Sequence, residues 1–363
     1  MIEAVVYWRF ANMGFPRDVA FSDGSLVGRV LLVATLFAAT AANLIWAFLG
    51  WGPFTADYNV FWEAARLPVE QIYFAPKPFV YPPPAIPLFK TLALVPFWPG
   101  FALWTAASAS AFYLAASHLT DRRIALLSML SVASFQNLIL GQTSMLLGAA
   151  ILVAFTMPAM AGGLILGVVA VVKPQLLVMA PLALMIRRDW PMLQGAAVGS
   201  IGAIIASLAL FGVQPWMDWV HGMPRFHQAL IDMNVLSSAI TPAAKAEQLG
   251  IDPLPILALG IFLAAATVTL LARRLEGVNL VALIVGTGTL AVPYALPHDI
   301  VALAPACIAY IMVKPGFKAL PAMLVFGGAV IPAGIATIAA YKALSGRSSR
   351  SPNGRAPPSP SDF

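Results

Sequence analysis

The 363-residue chain is 60% hydrophobic and only 10% charged, with a mean hydropathy of +0.85 and a net charge of +6. Soluble domains carry about a quarter charged residues, so a water-soluble globule of this length would leave large apolar patches bare, whereas a bilayer covers them. The basic residues stand singly or in pairs between apolar runs, not along one stripe, which excludes a nucleic-acid surface and fits the positive-inside rule.

The first apolar run, Val30 to Leu49, is long enough to span a membrane and carries no cleavable leader pattern. A segment of mixed polarity follows, Gly50 to Pro83. Pro84 to Trp98 is apolar but short and interrupted by Lys90, so it is expected to lie at the interface or to re-enter. Further apolar runs cover 99–119, 124–140, 143–158, 162–173, 175–187 and 191–212. Gly212 to Ile251 is a loop rich in Trp and charge, in which an amphipathic interfacial helix is the simplest reading. Runs at 252–272, 278–294, 299–313 and 319–341 complete the set. Ser345 to Phe363 is a Ser/Pro/Arg-rich tail expected to be disordered. The predicted fold is all-α and polytopic, about 9–11 membrane helices in one domain over 1–344, with short interfacial helices on the non-cytoplasmic side.

Arg122-Arg123, Arg187-Arg188, Arg273-Arg274 and the Lys314/Lys318 group can all be cytoplasmic, together with Arg9, Arg17 and Arg29. The opposite face then collects Gly50–Pro83, Gly141-Gln142, Lys173-Pro174, the 212–251 loop and Pro293–Asp299. Eleven crossings would leave the basic tail on the wrong side, so one run is expected not to cross.

That face holds the residues able to do chemistry. Asp57 sits beside Tyr58, Phe61 and Trp62; two readings fit it, a general base with a raised pKa or the cap of a short helix. Glu63 is the second carboxylate of the segment. Tyr81-Pro82-Pro83-Pro84 is rigid, either a linker or the wall of a site. Lys173 lies between apolar stretches, where Pro174 interrupts the helix, and a charge at such depth normally faces a cavity. Gln142 either binds a hydroxylated ligand or closes a turn. His298 either orients a substrate or neighbours a capping Asp299. In the 212–251 loop, Arg225 stands among Trp216, Trp219, His221 and His227. The four histidines have no metal-ligand spacing and Cys307 is the sole cysteine, so neither a structural metal nor a disulfide is expected.

In their order along the chain these motifs resemble glycosyltransferase family 87, the polyprenyl-phosphate-mannose-dependent mannosyltransferases of the membrane-embedded GT-C class. The resemblance rests on Asp57 with Phe61-Trp62-Glu63-Ala64-Ala65, Phe79-Val80-Tyr81-Pro82-Pro83-Pro84, Leu103-Trp104, Gly141-Gln142-Thr143-Ser144, Gly167 through Lys173-Pro174-Gln175, and Pro293-Tyr294 with His298-Asp299. It implies an inverting hexosyltransferase in the inner membrane with its site facing outward. A polyprenyl-phosphate sugar would be the donor and a lipid or glycan the acceptor, with no cofactor. It further implies Asp57 as base, Lys173 and His298 at the donor phosphate or acceptor, and supporting contacts from Gln142, Tyr81, Arg225 and Glu63. A transporter of lipid-linked saccharides is the alternative, although no inverted repeat is visible.

Overall fold

A computed structural model describes residues 54–313 other than 76, 78 and 234, together with residues 41 and 322. Apart from those last two positions, the expected first span, the 319–341 run and the tail lie outside the described residues. Every regular element among the described residues is a helix, as the composition predicts. They are α1 (Ala56–Arg66), α2 (Ile86–Lys90), α3 (Phe97–Leu119), α4 (Arg122–Ser128), α5 (Val132–Leu140), α6 (Ser144–Ala154), α7 (Ala159–Val172), α8 (Ala180–Arg187), α9 (Trp190–Phe211), α10 (Gln214–Asp232), α11 (Pro242–Gln248), α12 (Pro253–Leu271), α13 (Gly277–Gly288) and α14 (Ala304–Val313), with 3-10 turns between several of them.

Two of these stretches are long and apolar enough to cross a membrane alone, α9 and Pro253–Arg274. Both turn large side chains outward: Val198, Ile201 and Ile205 on α9, and Leu259, Phe262 and Leu270 on α12. In water that would be unfavourable; in lipid it is the expected outer surface. The sequence treats 124–140 as one run, but it is a pair of helices, α4 and α5, bent by 61°. Ser131 makes the break, because its hydroxyl accepts the Ser134 N–H and starts a new helix. The 175–187 run likewise begins as a 3-10 turn after Pro174 and becomes α-helical only at Ala180. The 278–294 run stops at Gly288, and 299–313 opens with the 3-10 turn Pro297–Leu303. The 84–98 piece breaks into short helical turns before α3. The 212–251 segment is largely helical. Within it α10 buries Pro215, Asp218 and Leu230 and leaves Met217 and Val220 exposed, an amphipathic helix as predicted.

Helices α7 and α9 meet backbone to backbone. A Cβ on Gly163 would stand 2.1 Å from the Met192 carbonyl oxygen, and one on Gly167 would stand 2.1 Å from that of Ala196. Facing them, a Cβ on Gly195 would come within 2.2 Å of the Met160 oxygen and one on Gly199 within 2.3 Å of the Leu164 oxygen. Glycines four apart on both helices thus make the close crossing that small residues allow in membranes, and the Ser200 hydroxyl donates across it to the Gly167 oxygen at 3.0 Å. This contact anchors α7, whose C-terminal end delivers Lys173. Gly167→Ala is expected to lower thermal stability in detergent by an amount equivalent to about 1–3 kcal/mol, the usual range for overpacking. Gly202→Ala on the same helix α9, where nothing lies within 4 Å of the added carbon, should be neutral or slightly stabilising, because alanine is the better helix former. Thermal unfolding of the two variants side by side checks this.

Candidate active site

Helix α1 forms because Tyr58, Phe61, Ala64 and Ala65 fall on one buried face, and it stops before Pro68. Its last turn is tied down by Lys90, whose ammonium donates to the carbonyl oxygens of Ala65, at 3.1 Å, and Leu67. Its entry is unusual. Thr55 is buried and left-handed (φ 66°), and its N–H donates to the Ile139 oxygen at 2.9 Å. A β-branched residue there is strained, and the cross-link to α5 holds it in place. The consequence is that Asp57, in the first turn, is fixed relative to the α5–α6 corner.

That corner is made by Gly141. Its φ of 73° needs a residue without Cβ, and a Cβ there would lie 2.5 Å from the Cβ of Tyr58. The Trp104 indole donates to the Gly141 oxygen at 2.9 Å, so α3 clamps the same corner. Asn137 completes it. Its amide nitrogen donates to the oxygens of Ala133 and His298, both at 2.8 Å, and its side-chain oxygen accepts the Met145 N–H at 2.8 Å. One buried side chain therefore joins α5, the start of α6 and the Pro297–Leu303 turn.

Around this frame a buried polar cluster assembles. The Lys173 ammonium stands 2.6 Å from Asp299 Oδ1 and donates to the Ser144 hydroxyl at 2.6 Å. That hydroxyl in turn donates to Asp299 Oδ1 at 2.9 Å. Asp299 Oδ2 accepts the Leu296 N–H at 3.0 Å, and His298 Nε2 lies 3.6 Å from Oδ1. The relative exposures of Lys173, His298 and Asp299 are 5%, 4% and 4%, so water screens these charges little. Tyr81 closes one side: its ring lies 5.8 Å from the Lys173 nitrogen, its hydroxyl donates to Gln142 Oε1 at 3.2 Å, and it shares a 2.5 Å hydrogen bond with the Thr143 hydroxyl.

Asp57 belongs to the same cluster. Burial raises its carboxyl from the ordinary carboxylate range to about 6, against the pull of the Gln142 side chain as hydrogen-bond donor and of the Lys173 charge; Asp299 pushes the same way as burial. The residue as a whole is half-buried and keeps part of its surface exposed. It is not a cap, since Thr55 holds the N-cap position and no side-chain cap bond forms.

The structure thus brings Asp57, Tyr81, Gln142, Lys173 and His298 together, and it leaves two candidates apart. Glu63 pairs with Lys77 at 2.8 Å on an exposed surface. Arg225 donates to the Tyr73 oxygen at 3.1 Å, lies over the Phe74 ring, and lines a groove with Tyr73, Phe79, Trp219 and Phe226. Lys173 is also not a free cation, because Asp299 and Ser144 already occupy it. Asp299 does cap its turn, as one sequence reading allows, but its neighbour His298 is buried and not solvated. Sequence reasoning passed over Asp299 as a pair for Lys173, named Ser144 only within the Gly141-Gln142-Thr143-Ser144 motif without a role, and missed Asn137 altogether. Two charged residues placed in otherwise apolar runs were the available signal for the pair. No comparable signal marks the Asn. Among the described residues no group of three His, Cys, Asp or Glu side chains is placed to hold a metal ion.

Compared with known proteins, residues 79–296 match the model of glycosyltransferase family 87. No curated protein and no solved structure matches the chain. The matched stretch contains Tyr81, Gln142 and Lys173, while Asp57 and His298-Asp299 flank it and reach the same cluster through the fold.

Proposed function

The chain belongs to glycosyltransferase family 87 and is a membrane glycosyltransferase; from that premise we propose that it transfers a hexose, mannose in the first instance, from a polyprenyl-phosphate donor to a lipid or glycan acceptor, with inversion, at the outer face of the inner membrane. The observation that carries this reading is Asp57: a half-buried residue whose carboxyl is raised to about 6 in a buried cluster with Lys173.

In the proposed reaction the Asp57 carboxylate takes the proton of an acceptor hydroxyl. The hydroxyl oxygen attacks the anomeric carbon from the face opposite the phosphate, and the bond from that carbon to the phosphate oxygen breaks. Its electron pair leaves on the polyprenyl phosphate through an oxocarbenium-like state. Lys173 offers a positive field to the departing phosphate, while His298 beside it is kept neutral by burial and can act only as a hydrogen-bonding group. Two of the three ammonium N–H groups already meet Asp299 and Ser144, so the phosphate receives the remaining one and the field of a balanced pair. The donor's anomeric bond is already activated by one phosphate, so the chemistry needs no nucleotide-binding fold.

Purified protein in lipid vesicles, given a radiolabelled polyprenyl-phosphate sugar and a hydroxylated acceptor, is expected to release free polyprenyl phosphate in step with labelled product. A carrier of lipid-linked saccharides moves the donor across the vesicle wall and releases none; that outcome would overturn the proposal.

A further inference from the structure

The fold brings the pairs Arg187-Arg188 and Arg273-Arg274 to one place. Arg187 Nη1 donates to the carbonyl oxygens of Ala272 and Leu275, both at 2.6 Å, and Arg273 Nε donates back to that of Ile186 at 2.6 Å. Each arginine thus answers carbonyls at the C-terminal end of the other's helix, where the dipole favours a cation. The place is a membrane boundary. Helix α9 starts beside it at Trp190, and the other span, Pro253–Arg274, ends in it. Each span is 22 residues long, about 33 Å at a rise of about 1.5 Å per residue and close to the hydrocarbon thickness of a bilayer. Their far ends are joined by the 212–251 segment, so the four arginines stand at the membrane surface opposite that segment.

Helix capping explains only part of this arrangement. Arg188, Arg273 and Arg274 are exposed, and capping occupies Nη1 of Arg187 and Nε of Arg273, not the rest of their guanidinium forks. Among the described residues no ion pair joins any of the four to a carboxylate. The neighbouring acids are Asp189, whose Oδ1 accepts the Met192 N–H at 3.3 Å, and exposed Glu276; four positive charges against two negative ones leave a surplus of two. Apolar side chains face outward just below. Met185 and Leu270, one turn before Arg188 and Arg274, are 48% and 69% exposed, and Trp190 is 51% exposed, the amphipathic ring that favours the edge of a bilayer. We infer that the four arginines form a binding site for the headgroup of an anionic phospholipid, whose acyl chains lie along Met185, Leu270 and Trp190. A guanidinium stays charged and matches two phosphate oxygens with two parallel N–H groups, and basic groups gathered between membrane helices at the surface select anionic lipid. A zwitterionic headgroup brings its own cation, which the surplus charge repels. The site stands apart from the Lys173 cluster and does not depend on the sugar-transfer reading.

The test titrates the full chain in detergent micelles with phosphatidylglycerol, phosphatidylcholine or inorganic phosphate and follows its unfolding temperature. Phosphatidylglycerol is expected to raise that temperature saturably, as a ligand of the folded state does, and the lipid concentration at half-effect should increase with added salt. Phosphatidylcholine should need about tenfold more lipid or show no effect. Arg188→Gln with Arg274→Gln removes two exposed charges that hold neither helix end, and should raise the half-effect concentration of phosphatidylglycerol about tenfold or more. Lys77→Gln with Lys245→Gln removes as much charge from the side of the 212–251 segment and should leave it where it was. An equal response to phosphatidylcholine overturns the inference, as does an unmoved half-effect in the arginine variant or an equal loss in the lysine variant. An equal response to inorganic phosphate would make this a site for a free anion and overturn the lipid assignment. If the double arginine variant fails to fold, Arg274→Gln alone carries the comparison, with an expected rise of about fivefold.

Discussion

Asp57→Asn is expected to lower sugar transfer by about 10²–10⁴-fold, the range for removing a positioned general base, while the protein still inserts and folds. The substitution keeps shape and volume and deletes only the basic oxygen. Two further results are tied to it. First, the wild-type rate should rise with pH and level off above an apparent pKa near 6, because the carboxylate is the active form and burial holds its pKa at about 6. Second, stability should move the opposite way from activity. The folded pKa lies above the ordinary carboxyl value of 3.8, so the folded state holds this proton more tightly than the unfolded chain. Below about pH 4 the carboxyl is neutral in both states and costs nothing; as pH rises through 6, ionisation in the buried cluster disfavours the folded form. Asp57→Asn removes that cost and is expected to unfold at a higher temperature than wild type at pH 7, with the difference vanishing below pH 4. A group that gives up stability at its working pH is what a functional carboxylate should look like. A variant that transfers sugar at the wild-type rate would remove Asp57 from the mechanism.

The second large effect concerns the Lys173–Asp299 pair. Each member is buried, and their contact of 2.6 Å is reinforced by Ser144. Removing one partner leaves a desolvated charge with no counter-ion, which costs about 3–5 kcal/mol. Asp299→Ala and Lys173→Ala are each expected to lower the yield and thermal stability of folded protein sharply. The double replacement Lys173→Met with Asp299→Leu should be much closer to wild type than the sum of the two single losses, because no unpaired charge remains. Yet it should transfer no sugar at a useful rate, since the cation that meets the leaving phosphate is gone. Recovered stability without recovered activity would separate the structural and chemical duties of the pair. Losses that simply add would show that the two residues act independently.

Much of this was legible without coordinates. Asp57, Tyr81, Gln142, Lys173 and His298 stood out because each is polar or rigid in an otherwise apolar chain, and polar groups in a bilayer face a cavity or another protein group. Glu63 and Arg225 stood out for the same reason. They proved to lie elsewhere, Glu63 in a surface pair with Lys77 and Arg225 on the Tyr73 carbonyl, because composition marks a charge but not its direction. Asn137 gave no signal, and Ser144 only its place in a motif: both are small polar residues of ordinary kinds in helical stretches, and their importance lies in what they touch. Helix boundaries also departed from the apolar runs where Ser131, Pro174 and Pro297 interrupt them, since a run of apolar residues records lipid or core contact and not unbroken backbone hydrogen bonding.

By itself the sequence determined the class of the molecule. A chain with 60% hydrophobic and 10% charged residues has too little charge to be solvated, and its apolar runs can satisfy their backbone in lipid only as helices. The order of its motifs also pointed to the family that the later comparison bears out. The tertiary structure alone decided which groups share a site and what state they are in. Ser144 meets Asp299 across 155 residues and Asn137 meets His298 across 161, and only the packing of α5 and α6 on the Pro297–Leu303 turn brings them together. Whether Lys173 is free or paired depends on separations of a few ångströms. Electrostatic and hydrogen-bond energies change steeply over that distance, and a linear order of residues does not contain it.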